Sequence, residues 1–206
     1  MRIVIFGGTG GTGRLIAEIA AEAGHEVRVA ARNPGSFKAD GSRVSVVACD
    51  VKKAADVEKA LAGQDAVVSA LGPRVSGDTI CSEGTAAIVR AMEAGGPRRL
   101  IVVSAYGVGD SLAHSGFIFS KILFPLAFKV PYADKEKMEA TVRATSLDWT
   151  IARPPRLTDG PKTSYRVHET MHGSVMSKVS RRDVASFVVG ELSENAWVRR
   201  VPIVEG

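Results

Sequence analysis

The stretch Ile5-Phe6-Gly7-Gly8-Thr9-Gly10-Gly11-Thr12-Gly13 ends an apolar run that begins at Arg2 and opens a helical pattern over Gly11–Ala23. Gly7, Gly10 and Gly13 stand in the spacing GxxGxxG. Glycine at such a junction lets the chain turn tightly, lets the backbone approach a bound group closely, and lets the helix pack on the strand. The turn also points backbone N–H groups and the positive end of the helix dipole outward, which attracts phosphate. Such spacing alone is a weak signal. Here a strand pattern precedes it, a helix pattern follows it, and a second strand pattern ends near residue 31, which is the context of a dinucleotide-binding turn. Thr9 and Thr12 add hydroxyl donors to the same turn.

Outward from this turn the chain repeats one theme. Short apolar runs at Arg2–Phe6, Glu26–Ala31, Val44–Cys49, Ala66–Leu71, Arg99–Ser104 and Asp148–Ala152 read as strands. Helical patterns lie between them at Gly11–Ala23, Ala54–Leu61, Ser82–Ala94 and Ala133–Thr145. Alternation of this kind predicts a parallel sheet covered on both faces. The fold class is therefore α/β: a single-domain, doubly wound Rossmann sheet over residues 1–206, with a small substrate-side segment in 154–206. In that segment the pattern predicts a β-hairpin over 163–179, a helix from about Arg181 capped by Ser180 with Asp183, and an edge strand Val198–Val204.

Composition narrows the function classes. The 206 residues are 45% hydrophobic and 24% charged, within the range of ordinary globular proteins. A net charge of +5 favours anionic ligands. The basic residues are scattered among acids and form no arm or recognisable nucleic-acid module, so no nucleic-acid partner is expected. Two cysteines, Cys49 and Cys81, form no CxxC pair, which fits a reducing cytoplasm. The apolar run begins at Ile3 without a charged leader, which predicts no signal peptide. The apolar stretch 116–130 is broken by Lys121, Pro125 and Lys129 and is too short for a bilayer, so it reads as a buried helix, a lid or a dimer surface. The expected species is a monomer or weak dimer with no membrane partner.

The second strand ends Val29-Ala30-Ala31-Arg32-Asn33, with no carboxylate where an NAD site would hold the ribose hydroxyls. Arg32 suits a 2′-phosphate, with Ser36 and Lys38 nearby, so the expected cofactor is NADP(H). The remaining strand ends supply the other candidate contacts: Asp50 and Val51, Leu71 and Gly72 with Arg74, Ser104, and Pro154 with Leu157.

Taken together these residues resemble the atypical short-chain dehydrogenase/reductase superfamily, which includes NmrA-like proteins, and within it the biliverdin-IXβ reductase or NADPH flavin reductase-like group. The similarity rests on IFGGTGGTG, the strand ending in Arg32, CDVKKAADVEKALAGQDAVV, ALGPR, CSEG, VVSAY, SLDWTIARPPRLTD and VSRRDVASFV. It implies NADPH-dependent hydride transfer to a planar acceptor, a flavin or a linear tetrapyrrole, in an open pocket above the nicotinamide; a quinone-like molecule is a further expected acceptor. Its active-site serine matches Ser104. Where the family has histidines this chain has Arg156, after Pro154-Pro155, and Lys135. Where the family has a second 2′-phosphate arginine this chain has Ser36.

The candidate catalytic residues are thus Ser104, Lys135 and Arg156. Ser104 orients a ligand, while Lys135 and Arg156 supply positive potential for an anionic acceptor. Structural roles compete: Ser104 ends a strand, and Lys135 stands four residues before Glu139, the spacing of a helical ion pair. No tyrosine has a lysine four residues later, Tyr132 and Lys135 being three apart, which disfavours alcohol-dehydrogenase chemistry. The main rival to a reductase is a non-catalytic NADP(H) sensor of NmrA-like type. One decoy, His168-Glu169-Thr170-Met171-His172, spells HExxH; it lies in the predicted hairpin without a third ligand, so no metal is expected.

Overall fold

Apolar runs without a polar face need cover on both sides, and the computed structural model, which describes residues 1–38, 41, 43–73, 77–114, 129–169 and 177–206, supplies it. Strands β1 (Arg2–Phe6), β2 (Glu26–Ala31), β3 (Val44–Ala48), β4 (Ala66–Ser69), β5 (Arg99–Val103) and β6 (Asp148–Ala152) form one parallel sheet in the order β3-β2-β1-β4-β5-β6. Helices α1 (Gly11–Glu22), α2 (Ala54–Leu61), α3 (Ile80–Glu93), α4 (Lys129–Arg143) and α5 (Arg181–Glu194) flank it. The expected Rossmann-like sheet is present.

Alternation along each strand divides the core in two. Ile3 and Ile5 of β1 face Ile16, Ala17 and Ala20 of α1 and Val184, Ala185 and Val188 of α5. Val4 and Phe6 face the other way, onto Val57 of α2, Ile88 and Met92 of α3, and Met138 and Val142 of α4. All of these side chains are essentially sealed from water. Each large one adds about 1.5–3 kcal/mol of burial free energy. The strand order reverses between β1 and β4, and that is where a ligand crevice opens beyond the carboxyl ends of the strands.

The segment after residue 154 departs from expectation. No hairpin joins 163 to 179 among the described residues. Instead β7 (Arg156–Thr158) pairs in parallel with β9 (Lys178–Ser180), and β8 (Arg166–His168) pairs antiparallel with β10 (Ile203–Glu205). The reason is burial. Val179 and Val204 are buried, Leu157 and Val167 pack against the same cluster, and the cross-pairing brings all four to the α1–α5 side of the core. The expected edge strand is reduced to Ile203–Glu205, and the chain just before it runs beside β6: Arg153 N–H donates to the Pro202 carbonyl at 2.8 Å. The cap on α5 is as expected, Ser180 Oγ accepting from Asp183 N–H at 3.0 Å. Asp183 then reaches back to Thr163, accepting from its N–H and its hydroxyl, each at 2.9 Å. Of the apolar stretch 116–130, residues 116–128 lie outside the described residues and 129–130 begin α4. Among the described residues, no helix is long and apolar enough to cross a membrane.

Candidate active site

Built from the backbone upward, the first half of the crevice is a place where side chains are excluded. Gly7 has φ +79°, and a Cβ there would lie 2.4 Å from the Ala70 carbonyl oxygen. A Cβ on Gly13 would lie 2.3 Å from the Gly7 oxygen. Gly10 caps α1 without a side-chain hydrogen bond, and the first turn carries no acid. A helix start left open in this way presents its N–H groups and dipole to an anion. Thr9 and Gly10 are exposed and Thr12 half-buried at its mouth. The residues present fit a dinucleotide pyrophosphate.

Arg32 stands exposed where β2 ends. Ser36 does not present a spare proton there, because its hydroxyl donates to the Asn33 carbonyl at 2.6 Å and closes the short turn Pro34–Ser36. A neighbour that the sequence did not flag is Arg14 in the first turn of α1. Its guanidinium lies 4.5 Å from the Phe37 ring centroid and reaches the Ser36 carbonyl at 3.4 Å, bracing the loop that follows Arg32.

On the other side of the switch point, Asp50 shapes its own turn, its carboxylate accepting from Lys52 N–H at 3.1 Å. Val51 and Leu71 press on α3 at Gly84, where a Cβ would sit 2.7 Å from Leu71 and 3.1 Å from Val51. Gly72 is exposed beside them, and Arg74 lies outside the described residues. Asp134 of α4 caps α3, accepting from Cys81 N–H at 3.0 Å and from Ser82 N–H at 3.1 Å, and also bonds the Ser82 hydroxyl. This clamps α4 to α3 and sets the height of the next cluster.

That cluster surrounds Ser104, the residue after β5. Its hydroxyl donates to Glu139 Oε1 of α4 at 2.6 Å. Arg153, just after β6, grips the same carboxylate with both arms, Nε to Oε1 at 3.0 Å and Nη2 to Oε2 at 2.6 Å. Ser104, Glu139 and Arg153 are 4%, 3% and 4% exposed. Arg153 Nη2 also meets Asp110 at 2.8 Å. Burial works against the Arg153 charge, but Glu139 and Asp110 more than compensate and hold the guanidinium above its ordinary value. Burial likewise pushes the Asp110 carboxyl up, yet Arg153 and then Arg143 bring it below the usual carboxylate range.

Lys135 does not make the helical pair with Glu139. Its Nζ donates to the Val103 carbonyl at 3.3 Å, next to Ser104. Arg156 is exposed at the start of β7, opposite Lys178, and no hydrogen bond among the described residues ties it to Ser104 or Glu139. Pro154 is buried and its carbonyl accepts from Tyr106 N–H at 2.9 Å; Leu157 packs into the core. Burial pushes the Tyr132 phenol up, away from any easy proton transfer. Sequence reasoning missed Glu139 as a partner of Ser104, and missed Arg153 entirely. The one available signal was a charged residue, Arg153, wedged between an apolar strand and two prolines. Of the HExxH pattern, His168 lies in β8 while Thr170–His172 are outside the described residues; no cluster of three metal-ligating side chains occurs among the described residues.

A family model described as NAD(P)H-binding matches residues 7–195. The chain belongs to that NAD(P)H-binding family. The chain is 32% identical to the UPF0659 protein C216.03 of Schizosaccharomyces pombe, over 76% of this chain and 70% of that protein. Two solved structures have the same fold. One is a short-chain dehydrogenase/reductase of wide type from Veillonella parvula in complex with NADP, with TM-score 0.79 and 22% identity over 100% of this chain and 94% of that one. The other is ChuY, an anaerobilin reductase from Escherichia coli O157:H7, with TM-score 0.82 and 22% identity over 99% of this chain and 96% of that one. The NAD(P)H-binding assignment agrees with the glycine cradle and the uncapped start of α1.

Proposed function

We propose that the protein is an NADPH-dependent reductase that delivers hydride to a planar, anionic acceptor of flavin or linear tetrapyrrole type. The observation that carries this reading is the pairing, across one switch point, of a side-chain-free phosphate cradle with the Ser104 cluster and no Tyr-x-x-x-Lys couple beside it. A planar conjugated acceptor needs alignment more than an enzymic acid, and alignment alone supplies much of such a rate. The reduced nicotinamide supplies the hydride when bound.

The residues divide the remaining work. Gly7, Gly10 and Gly13 with Thr9 and Thr12 hold the pyrophosphate. Arg32, braced by Arg14 through Phe37 and Ser36, holds the 2′-phosphate, and Asp50, Val51, Leu71 and Gly72 line the adenosine side. Ser104 with Pro154 and Leu157 borders the nicotinamide end. Lys135 sets positive potential beside Ser104, and the exposed Arg156 receives a carboxylate or phosphate of the acceptor. Similarity to an anaerobilin reductase supports a tetrapyrrole-like acceptor.

A second reading, NADP(H) binding without turnover, draws support from the Ser104 proton already being committed to Glu139. NADPH oxidation with FMN, FAD, biliverdin and a quinone separates the two. The reductase reading expects turnover on at least one acceptor and a kcat about tenfold lower in Ser104→Ala, the effect of one lost orienting hydrogen bond. Unchanged rates in Ser104→Ala remove Ser104 from the mechanism. Tight NADP binding with no turnover on any acceptor favours the sensor.

A further inference from the structure

We infer that Glu139, gripped by Arg153, is a positioning residue that fixes the direction of the Ser104 hydroxyl, so that Ser104 meets its ligand as a hydrogen-bond acceptor and selects an amide or imide N–H. This rests on the reading that Ser104 borders the reacting end of the bound ligands.

The argument is one of proton inventory. A serine hydroxyl has a single proton and two lone pairs, while a carboxylate only accepts. At 2.6 Å, Ser104 must therefore be the donor to Glu139. Glu139 cannot turn away, because Arg153 holds both of its oxygens, at 3.0 and 2.6 Å. Nor can Arg153 swing: Asp110 holds its Nη2 at 2.8 Å, and its own backbone N–H donates to Pro202 at 2.8 Å while its carbonyl accepts from Val204 at 3.4 Å. Rotating the Ser104 proton toward a ligand would take a charge-assisted hydrogen bond from a carboxylate that is only 3% exposed. What Ser104 offers to a ligand is acceptor capacity, strengthened because its own O–H is polarised by the anion.

A ligand carbonyl aimed at this oxygen would meet lone pairs; an N–H would be welcomed. Two sources carry that chemistry at the reacting end: the carboxamide NH2 of the nicotinamide, and the ring N–H of a flavin or tetrapyrrole lactam. If Glu139 served only to neutralise Arg153, ligand choice would not depend on it.

The test measures binding ratios by fluorescence titration of intact protein. One arm compares NADPH with its 3-acetylpyridine analogue, in which methyl replaces NH2. The other compares lumiflavin with N3-methyl-lumiflavin on the NADP-loaded protein. Wild type is expected to favour the N–H-bearing member of one pair about tenfold, and Ser104→Ala to abolish that preference. The paired replacement Glu139→Leu with Arg153→Met removes the buried ions together, which cores commonly tolerate, and frees the hydroxyl. It is expected to bring the ratio to about threefold or less with Ser104 still present. Glu139→Met, which removes the acceptor and is checked by circular dichroism, serves as the second variant should the pair fail to fold. The inference is overturned if wild type discriminates in neither arm, if Ser104→Ala keeps the preference, or if a folded Glu139 variant keeps the wild-type ratio. Failure of wild type to bind NADPH at all sinks instead the reductase reading beneath it.

Discussion

The two sides of the crevice are made of different material. Around β1 and β4 the site is backbone: Gly7 and Gly13 contribute by lacking a Cβ, and the open end of α1 contributes N–H groups. Around β5 and β6 the site is buried side chain, with Ser104, Glu139 and Arg153 fixing one another. A backbone site tolerates almost any neighbour but no added atom. A side-chain network tolerates added volume nearby but not the loss of a single member, since each buried charge depends on its partner.

That contrast can be broken at several points. Gly7→Ala meets both a positive φ and a carbonyl 2.4 Å from the new Cβ. It is expected to cost about 5 kcal/mol of stability and to eliminate NADPH binding, as read by chemical denaturation and titration; a folded, binding variant would end the idea that the cradle excludes side chains. Arg153→Met leaves Glu139 buried without its clamp and should cost about 3–5 kcal/mol, whereas adding Glu139→Leu should restore most of it. Equal losses in single and paired variants would show the network is not a closed unit.

Smaller effects sharpen the picture. Arg32→Ala should weaken NADPH binding about tenfold to hundredfold, roughly 1.4–2.7 kcal/mol, with NADH binding unchanged. A parallel fall for both nucleotides would place Arg32 off the 2′-phosphate. Asp183 tests the segment after residue 154, where it joins Thr163 to the start of α5. Burial pushes its carboxyl up, but the Ser180 hydroxyl and Thr163 reverse this and hold it below the usual aspartate value. Its folded value being depressed, its stabilisation is full above the unfolded value and is lost as pH falls through the folded one. Asp183→Asn should therefore cost about 1.5–3 kcal/mol at neutral pH and flatten the acid limb of a stability–pH curve. Ser36→Ala should change NADPH affinity by no more than about twofold, because its hydroxyl is committed to Asn33.

The same contrast explains how much the sequence revealed. The glycine spacing and the apolar runs are local signals, so the six strands of the parallel sheet were legible to within two residues at either end, and so was the Ser180 cap. The hairpin expected over 163–179 failed because three-residue strands with one apolar residue each take their register from distant partners, here β10 and β7. Glu139 carried a local reading, a helical pair with Lys135, that lost to a stronger contact 35 residues away in sequence, at Ser104. Ser36 matched the position of a family arginine, yet its hydroxyl satisfies a turn instead. Charge patterns report what a helix does to itself; they say little about which buried charge another element will bring.

One consequence follows from the partner of α1. The face of α1 that carries Ile16, Ala17 and Ala20 is covered by Val184, Ala185 and Val188 of α5, the last helix. A ribosome that has released only the nucleotide-binding half has therefore exposed a greasy stripe whose mate is still being synthesised. The half that looks self-sufficient by motif must wait for α5 to be synthesised, and a fragment cut after β4 should be a client for chaperones, not a portable nucleotide-binding module.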